Sequence, residues 1–265
     1  MGPAPARRIA IVPVYNEEDT LGCVLQELAP LVDCLILVDD GSRDASAAIM
    51  RDWQRRLPGI WICSHRENRG MAQALKTGFF LAERLLAVAT IGPEDILINV
   101  DADGQHPLEV IPAAAARMES EDLDVLLVDR DFSLYPRFKV AGNRLLSALA
   151  RAISGFPYSD VESGFRFIRA RCLDRFLPFF TGWRYSCAQE IAVITALQGL
   201  RIRNDFPVRI RCYRPGTTIL DGFAVFVMSF WCLLRVRAGC RSSPGRARDH
   251  LAAVEIKPAV RGHGQ

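Results

Sequence analysis

The chain has 265 residues, of which 50% are hydrophobic and 24% charged. This composition excludes a disordered, collagen-like or disulfide-stapled protein and allows a substantial buried core. The formal net charge of +3 is too small for a nucleic-acid-binding protein unless the excess is local. The excess is local from Arg235 onward, where seven basic residues stand against two acidic ones.

The cysteine pattern and the first residues indicate a cytoplasmic protein. The eight cysteines are scattered, with no C-x-x-C pair and no histidine at the spacing of a metal ligand. We therefore expect free thiols in a reducing compartment. The apolar run near the N-terminus is too short for a signal peptide and leads directly into polar residues.

The first half of the chain alternates short apolar, β-branched runs with longer segments of helical period, the pattern of an α/β fold. Predicted strands cover residues 9–14, 34–38, 60–64, 96–100 and 125–128. Predicted helices cover residues 19–31, 44–57, 71–89 and 108–118. This order predicts a mostly parallel central sheet flanked by helices.

The alternation is lost after Pro136. We expect a helix over 137–153, a polar loop, a helix over 189–198 and a strand over 200–209. The apolar stretch 223–234 is shorter than the roughly 20 residues that a membrane-spanning helix needs, so it predicts a helix in the core or on a membrane surface. These patterns divide the chain into a domain over 1–218, an apolar helix over 219–237 and a basic, disordered tail over 238–265.

Three of the predicted strands end abruptly in polar residues. The ends read Tyr15-Asn16-Glu17, Asp39-Asp40-Gly41-Ser42 and Asp101-Ala102-Asp103. In open α/β sheets, ligands bind at the carboxyl ends of the strands. We therefore expect the three clusters to line one cleft.

The pair Asp101 and Asp103 is the strongest chemical signal. Two carboxylates one residue apart at the end of a buried strand repel each other unless a cation lies between them, and hard divalent ions prefer oxygen ligands. The pair predicts Mg²⁺ or Mn²⁺ bound together with a diphosphate. At the other two strand ends, Asp39 would accept hydrogen bonds from a base or ribose, Tyr15 would pack against a base, and Glu17 would bind a ribose hydroxyl.

Seven stretches in order resemble family 2 glycosyltransferases of the GT-A fold, and among them the dolichyl-phosphate and polyprenyl-phosphate sugar synthases. They read VPVYNEED, VDDGSRD, RENRGMAQALKTGF, VDADGQHP, SDVESGFRFIRA, QEIAVITALQGLRI and YRPGTT. They extend over roughly residues 9–218. The resemblance implies transfer of a hexose from a UDP- or GDP-sugar to a polyprenyl phosphate at a membrane surface, with Mg²⁺ or Mn²⁺ and possible help from an integral-membrane partner.

The resemblance also implies roles for individual residues. The nucleotide and donor sugar would be bound by Pro13, Tyr15, Glu17, Asp39, Asn68, Gly70, Asp101 and Ala102. The metal ligands would be Asp101, Asp103 and Gln105. Phosphate groups of the acceptor or donor would be bound by Arg130, Arg166 and Arg214, and the catalytic set would be Asp101, Asp103, Arg166 and Arg214.

A phosphate acceptor also makes chemical sense, because a phosphate monoester is already anionic at neutral pH and attacks without a general base. Arginine suits such a site because its fork of donors matches phosphate. The sequence departs from the family pattern at Val128-Asp129-Arg130-Asp131, which adds acids beside the arginine, and at Arg214-Pro215-Gly216-Thr217-Thr218, which lacks a lysine.

Two other functions fit the same residues. A glycosyltransferase with a hydroxyl acceptor would need a carboxylate base, for which Asp160 or Glu190 is the candidate. A non-catalytic nucleotide-sugar-binding protein would bind the donor without turnover. A Rossmann-type oxidoreductase is excluded, since the first strand is followed by Tyr-Asn-Glu-Glu and not by G-x-G-x-x-G.

Overall fold

The computed structural model describes residues 5–183, 186–211, 219–240 and 246–259. The strands are β1 Arg8–Val14, β2 Cys34–Asp39, β3 Ile60–Ser64, β4 Ile96–Asn99, β5 Val125–Arg130, β6 Arg166–Arg169, β7 Ile202–Val208 and β8 Glu255–Lys257. The helices are α1 Leu21–Leu28, α2 Ser46–Arg56, α3 Met71–Ala87, α4 Ile111–Ser120, α5 Arg137–Ser154, α6 Leu173–Phe176, α7 Cys187–Leu197, α8 Ile219–Arg237 and α9 Arg246–Ala252.

The described strands form one mixed sheet in the order β7-β5-β6-β4-β1-β2-β3-β8. Strands β4, β1, β2 and β3 run parallel to one another, and β5 is parallel to β7. Strands β6 and β8 are antiparallel to their neighbours. The expected α/β architecture is confirmed, but the sheet is mixed because these two strands, which we did not predict, enter it in the opposite direction.

The sheet is buried on both faces, which explains why its strands are nearly continuous apolar runs. On one face, Ile9, Ile11 and Ile36 pack beneath α3 and α7. On the other, Ala10 and Val12 pack beneath α1, α2 and α4. The alternation along β1 follows from the two-residue period of a strand, and it holds the carboxyl ends of β4, β1 and β2 side by side.

Helix α8 is not the long apolar C-terminal helix that we expected, because its sequence includes Asp221, Arg235 and Arg237. Its described side chains differ from one face to the other: Val225 and Cys232 are buried, whereas Val227, Phe230, Trp231 and Leu234 are exposed. The helix packs against α5 and α7. Among the helices in the described ranges, none combines the length and apolar character needed to cross a bilayer.

We expected the tail over 238–265 to be disordered, but within it the structure describes helix α9 and strand β8. Helix α9 packs against α3, and β8 pairs with β3 through Ile256, which lies opposite Cys63. The side-chain amide of Gln54 on α2 donates to the carbonyl of Lys257 at 3.2 Å. The polar composition of the segment 246–257 did not predict this structure, because a hydrogen-bonding partner that stabilises it lies about 200 residues earlier in the chain.

Candidate active site

The three predicted polar clusters lie at one edge of the sheet. The neighbouring strands β4, β1 and β2 are parallel, so the turns that follow them open on the same side. The turns after β1 and β2 are joined by hydrogen bonds from backbone amides to side chains: the Arg43 amide donates to Asn16 Oδ1 at 2.9 Å, and the Glu17 amide donates to Ser46 Oγ at 2.8 Å. The cleft is therefore built on a rigid edge.

Two buried carboxylates with different surroundings lie at the end of β2, Asp39 as its last residue and Asp40 as the first residue of the turn that follows. Asp39 accepts a hydrogen bond from the Ser42 amide at 2.9 Å. Asp40 accepts one from the Gly70 amide at 2.7 Å, and the Asn68 side chain accepts from the same amide at 2.9 Å. The loop that contains Asn68 and Gly70 is thus attached to the end of β2.

The residues after β1 that were predicted to contact the nucleotide lie at the same edge of the sheet. Pro13 lines a small cavity together with Asn99 and Asp101. The Tyr15 side chain is 41% exposed, so its ring is available to a ligand. The hydroxyl of Thr20 lies 2.8 Å from Glu17 Oε2 and also donates to the backbone carbonyl of Ala102.

The turn after β4 is joined to the start of α1 by the hydrogen bond from the Thr20 hydroxyl to the Ala102 carbonyl, at 2.9 Å. A cavity of about 240 Å³ opens between this turn and α1. Asp101, Asp103 and His106 line it on one side. The two acids predicted to hold a metal therefore border the same open space.

Asp101 lies in a polarised environment. Its carboxylate Oδ2 is 3.3 Å from His106 Nε2, and the His106 ring stacks on Phe165 with centroids 4.7 Å apart. Burial alone would raise the pKa of the Asp101 carboxyl, but His106 and the guanidinium groups of Arg130 and Arg166 outweigh it and hold the pKa below its usual value. The carboxylate is therefore ionised and suited to bind a cation.

Asp103 and Gln105 form a compact pair. The backbone amide of Gln105 donates to Asp103 Oδ1 at 3.0 Å, and its side-chain amide donates to Oδ2. In the described part of the chain, no cluster of three or more His, Cys, Asp or Glu side chains is placed to hold a metal ion. Two carboxylates fit Mg²⁺ or Mn²⁺ only as a partial shell that a diphosphate and water complete, which is how such ions bind nucleotides.

Arg130 is held by Asp160. Its Nε and Nη2 donate to the two carboxylate oxygens at 2.6 and 2.9 Å, and the Asp160 side chain is completely buried. Burial lowers the pKa of the Arg130 guanidinium, but Asp160, together with Tyr135 and Glu162, outweighs burial and raises the pKa above its usual value. Both oxygens of Asp160, a predicted base, are therefore engaged by an arginine that we predicted to bind phosphate.

Arg166 is buried beneath the cleft and donates to backbone carbonyls. Its Nε donates to Ser163 at 2.7 Å, its Nη2 to Val161 at 2.8 Å and its Nη1 to Ala188. Only 1% of the residue is exposed. In this arrangement the arginine uses three of its five N–H donors to fix the loop before β6 and the first turn of α7.

Glu190, the second predicted base, lies at the start of α7. It accepts hydrogen bonds from the amides of Thr181 and Gly182, each at 3.0 Å, and from the Thr181 hydroxyl. Burial raises its pKa. The carboxylate thus caps a turn. Arg214, predicted to bind phosphate, lies outside the described residues.

Two features escaped our sequence analysis. Glu162 lies near Arg130 and Arg166, and its Oε1 is a buried oxygen without a hydrogen-bond partner in the described ranges. His65 contacts Asp40 through Nδ1 at 2.6 Å. His65 lies directly after β3, and Asp40 lies directly after the parallel neighbour β2.

The matching family model is described as glycosyl transferase family 2 and covers residues 9–183. One curated relative is the UDP-N-acetylglucosamine–dolichyl-phosphate N-acetylglucosaminyltransferase of Methanococcus voltae, 26% identical over 82% of this chain and 92% of its own. Another is the undecaprenyl-phosphate 4-deoxy-4-formamido-L-arabinose transferase of Edwardsiella ictaluri, 30% identical over 63% of this chain. The match spans half of that longer protein.

A solved structure shares the fold. Glucosyl-3-phosphoglycerate synthase from Mycobacterium tuberculosis, in complex with Mn²⁺, UDP and glucosyl-3-phosphoglycerate, has a TM-score of 0.60 to this chain at 23% identity. The likeness covers 90% of this chain and 82% of that one. At this identity the comparison establishes the common architecture.

Proposed function

The chain belongs to glycosyltransferase family 2, and we propose that it transfers a hexose from a UDP- or GDP-sugar to a polyprenyl phosphate with the help of Mg²⁺ or Mn²⁺. The observation that carries the proposal is the position of Asp39, at the carboxyl end of β2, and of Asp101 and Asp103, after the carboxyl end of β4, on the two sides of the parallel strand β1. Nucleotides bind at this position in open α/β sheets.

In the proposed complex, the nucleotide lies across the ends of β1 and β2. Asp39 accepts hydrogen bonds from the base, and Tyr15 packs against it. Pro13 and Glu17 complete this side of the site, and the donor sugar extends toward the 66–70 loop, which contains Asn68 and Gly70. The rigid connections between these turns support the proposal, because a preorganised site loses little entropy on binding.

Asp101 and Asp103 would hold the divalent ion, with Gln105 and Ala102 beside them. The ion would neutralise the charge that develops on the departing nucleoside diphosphate. The low pKa of Asp101 supports this role, since the carboxylate keeps its charge over the whole neutral range. The structure of glucosyl-3-phosphoglycerate synthase, which shares this fold and was solved with Mn²⁺ and UDP, supports a divalent metal.

The engagement of both candidate bases favours a phosphate acceptor over a hydroxyl acceptor. Asp160 is paired with Arg130, and Glu190 caps the 181–182 turn. A phosphate nucleophile needs neither of them. The two curated relatives, named for dolichyl phosphate and undecaprenyl phosphate, support the same acceptor class. The acceptor phosphate would be held by Arg214 and by Arg130, with Arg166 supporting the loop beneath.

A lipid acceptor requires contact with a membrane, and we propose that helices α5 and α8 provide it from the cytoplasmic side. Exposed apolar side chains on these two packed helices include Phe138, Leu145, Val227, Phe230, Trp231 and Leu234. Arginines lie along α5 at seven-residue intervals, at positions 137, 144 and 151. Apolar side chains beside basic ones are typical of surfaces that bind anionic lipids. We further propose that an integral-membrane partner helps to anchor the chain at the membrane.

The metal-dependent part of the proposal is tested by calorimetry with UDP and GDP, each with Mn²⁺. We expect Asp103→Asn to weaken binding at least about tenfold, since a charged ligand of the ion is lost. Asp174→Asn, an exposed change on α6, is the matched control and should bind like the wild type. Equal affinities for the two variants would refute the metal site.

A further inference from the structure

Four polar side chains connect the C-terminal helix α9 to the turn after β2. We call them the polar chain: His250, Thr77, His65 and Asp40. Successive atoms are separated by 2.7 Å (His250 Nε2 to Thr77 Oγ1), 2.8 Å (Thr77 Oγ1 to His65 Nε2) and 2.6 Å (His65 Nδ1 to Asp40 Oδ1). The side chains of His65 and Asp40 are 0% and 3% exposed. Hydrogen bonds shielded in this way are strong and depend on one another.

The Asp40 end of the polar chain holds the 66–70 loop. The carboxylate accepts the amide of Arg69 at 2.9 Å and the amide of Gly70 at 2.7 Å. The same turn touches the loop directly, since a Cβ placed on Gly41 would lie 2.6 Å from the carbonyl carbon of Glu67. Any rotation of the Asp40 carboxylate therefore moves the backbone of the loop.

Thr77 couples the hydrogen bonding of the two imidazoles, as a count of the available protons shows. Its hydroxyl has one proton and three neighbours within hydrogen-bond distance: His65, His250 and the Gln73 carbonyl at 3.0 Å. The hydroxyl donates to only one of them, so at least one imidazole must donate to Thr77. The hydrogen-bonding state of His250 thus restricts that of His65, which in turn contacts Asp40.

The position of His250 is set independently of the cleft. Its ring packs edge-on against Phe80, with centroids 5.2 Å apart. Strand β8, which follows α9, is paired with β3, and Gln54 holds its last carbonyl. These contacts hold the C-terminal segment in place, so that His250 lies beside Thr77.

We propose that His250 is a positioning residue for the donor site: acting through Thr77 and His65, it fixes Asp40 and the 66–70 loop in the conformation that accepts a nucleoside diphosphate sugar. The identity of this ligand rests on the proposed function. The mechanical coupling between His250 and the loop is a property of the chain itself and is tested without any ligand.

The first experiment measures amide hydrogen exchange of the full-length protein without ligand. His250→Leu should speed exchange in the peptide with the Arg69 and Gly70 amides by about fivefold, the factor carried by one net hydrogen bond. His250→Gln keeps an amide nitrogen near the position of Nε2 and should restore slow exchange. Leu251→Ala, a buried packing change on the same helix, should lower Tm without this local effect.

A second pair of variants covers the case in which α9 fails to fold. Thr77→Val removes the hydroxyl at nearly constant volume and should also speed loop exchange, whereas Thr77→Ser should not. Wild-type exchange in both His250→Leu and Thr77→Val would overturn the coupling.

The second experiment measures binding of UDP and GDP with Mn²⁺ by calorimetry. His250→Leu should weaken the binding of the nucleotide that the wild type prefers by about fivefold, and in turnover it should raise donor KM while kcat stays within about twofold. Unchanged affinity with faster loop exchange would overturn the donor role of His250. Faster loop exchange in a protein whose wild type binds neither nucleotide would confirm the coupling, overturn the donor role and refute the proposed function.

Discussion

Replacing Gly41 with alanine tests the close contact between the turn after β2 and the 66–70 loop. The residue has φ of +75°, and an added Cβ would lie 2.6 Å from the carbonyl carbon of Glu67 and 2.8 Å from the Asn68 amide nitrogen. A left-handed conformation costs an alanine about 1–2 kcal/mol, and overpacking against backbone adds about 1–3 kcal/mol. We therefore expect Gly41→Ala to lower the free energy of unfolding by about 2–5 kcal/mol.

Gly155→Ala is the matched control, because Gly155 also has φ of +75° but an added Cβ there would have nothing within 4 Å. It should cost only the conformational part, about 1–2 kcal/mol. Urea unfolding of both variants, with the m-values compared, measures the difference. Gly41→Ala should also weaken UDP or GDP binding, because the loop must move. Equal destabilisation by the two changes would refute the proposed packing of the turn on the loop.

Three further predictions follow from single side chains. Burial raises the pKa of Glu162 to about 7, so its carboxyl is protonated more readily in the folded than in the unfolded protein. Stability should fall as pH rises from about 4.5 to 7, by at most about 3 kcal/mol, and Glu162→Gln should remove this fall; parallel pH profiles of unfolding for wild type and variant would contradict it. An alanine Cβ at Gly164 would lie 3.0 Å from Asp101 Oδ2, so Gly164→Ala should reduce turnover about fivefold, whereas Gly142→Ala, with open space around it, should not; equal turnover in the two variants would argue against a role for Asp101. In sedimentation with anionic vesicles, Trp231→Glu should reduce the bound fraction, and Val88→Glu, at another exposed apolar position, should leave it intact; the reverse result would exclude α8 from the membrane surface.

The sequence was most informative where local pattern and tertiary position agree. Strands β1 to β5 are apolar runs that end in polar residues. Because parallel strands end at the same edge of a sheet, this pattern was enough to place Asp39 and Asp101 at one edge, after strands on either side of β1. The start of α3 at Met71 was predicted correctly, since Gly70 and the polar loop before it end the preceding extended segment.

The rest depends on pairings between distant segments. Strand β6 has only four residues and forms because it fits between β4 and β5, which its own sequence does not reveal. Helix α9 and strand β8 are stabilised by α3, β3 and Gln54. The same limit applies to Arg166. As an arginine in a family motif it was predicted to bind phosphate, but its burial against three backbone carbonyls depends on how the 159–165 loop folds against α7.

The central claim is that this chain transfers a sugar from a nucleotide to a lipid phosphate. The most direct measurement incubates the full-length protein with labelled UDP-glucose, UDP-N-acetylglucosamine or GDP-mannose and a short polyprenyl phosphate, with Mn²⁺, with Mg²⁺ and with chelator. We predict an organic-soluble product that mild acid cleaves and that does not form with chelator. Metal-dependent binding of a donor with no lipid-linked product, or label transferred only to a hydroxyl acceptor, would contradict the claim.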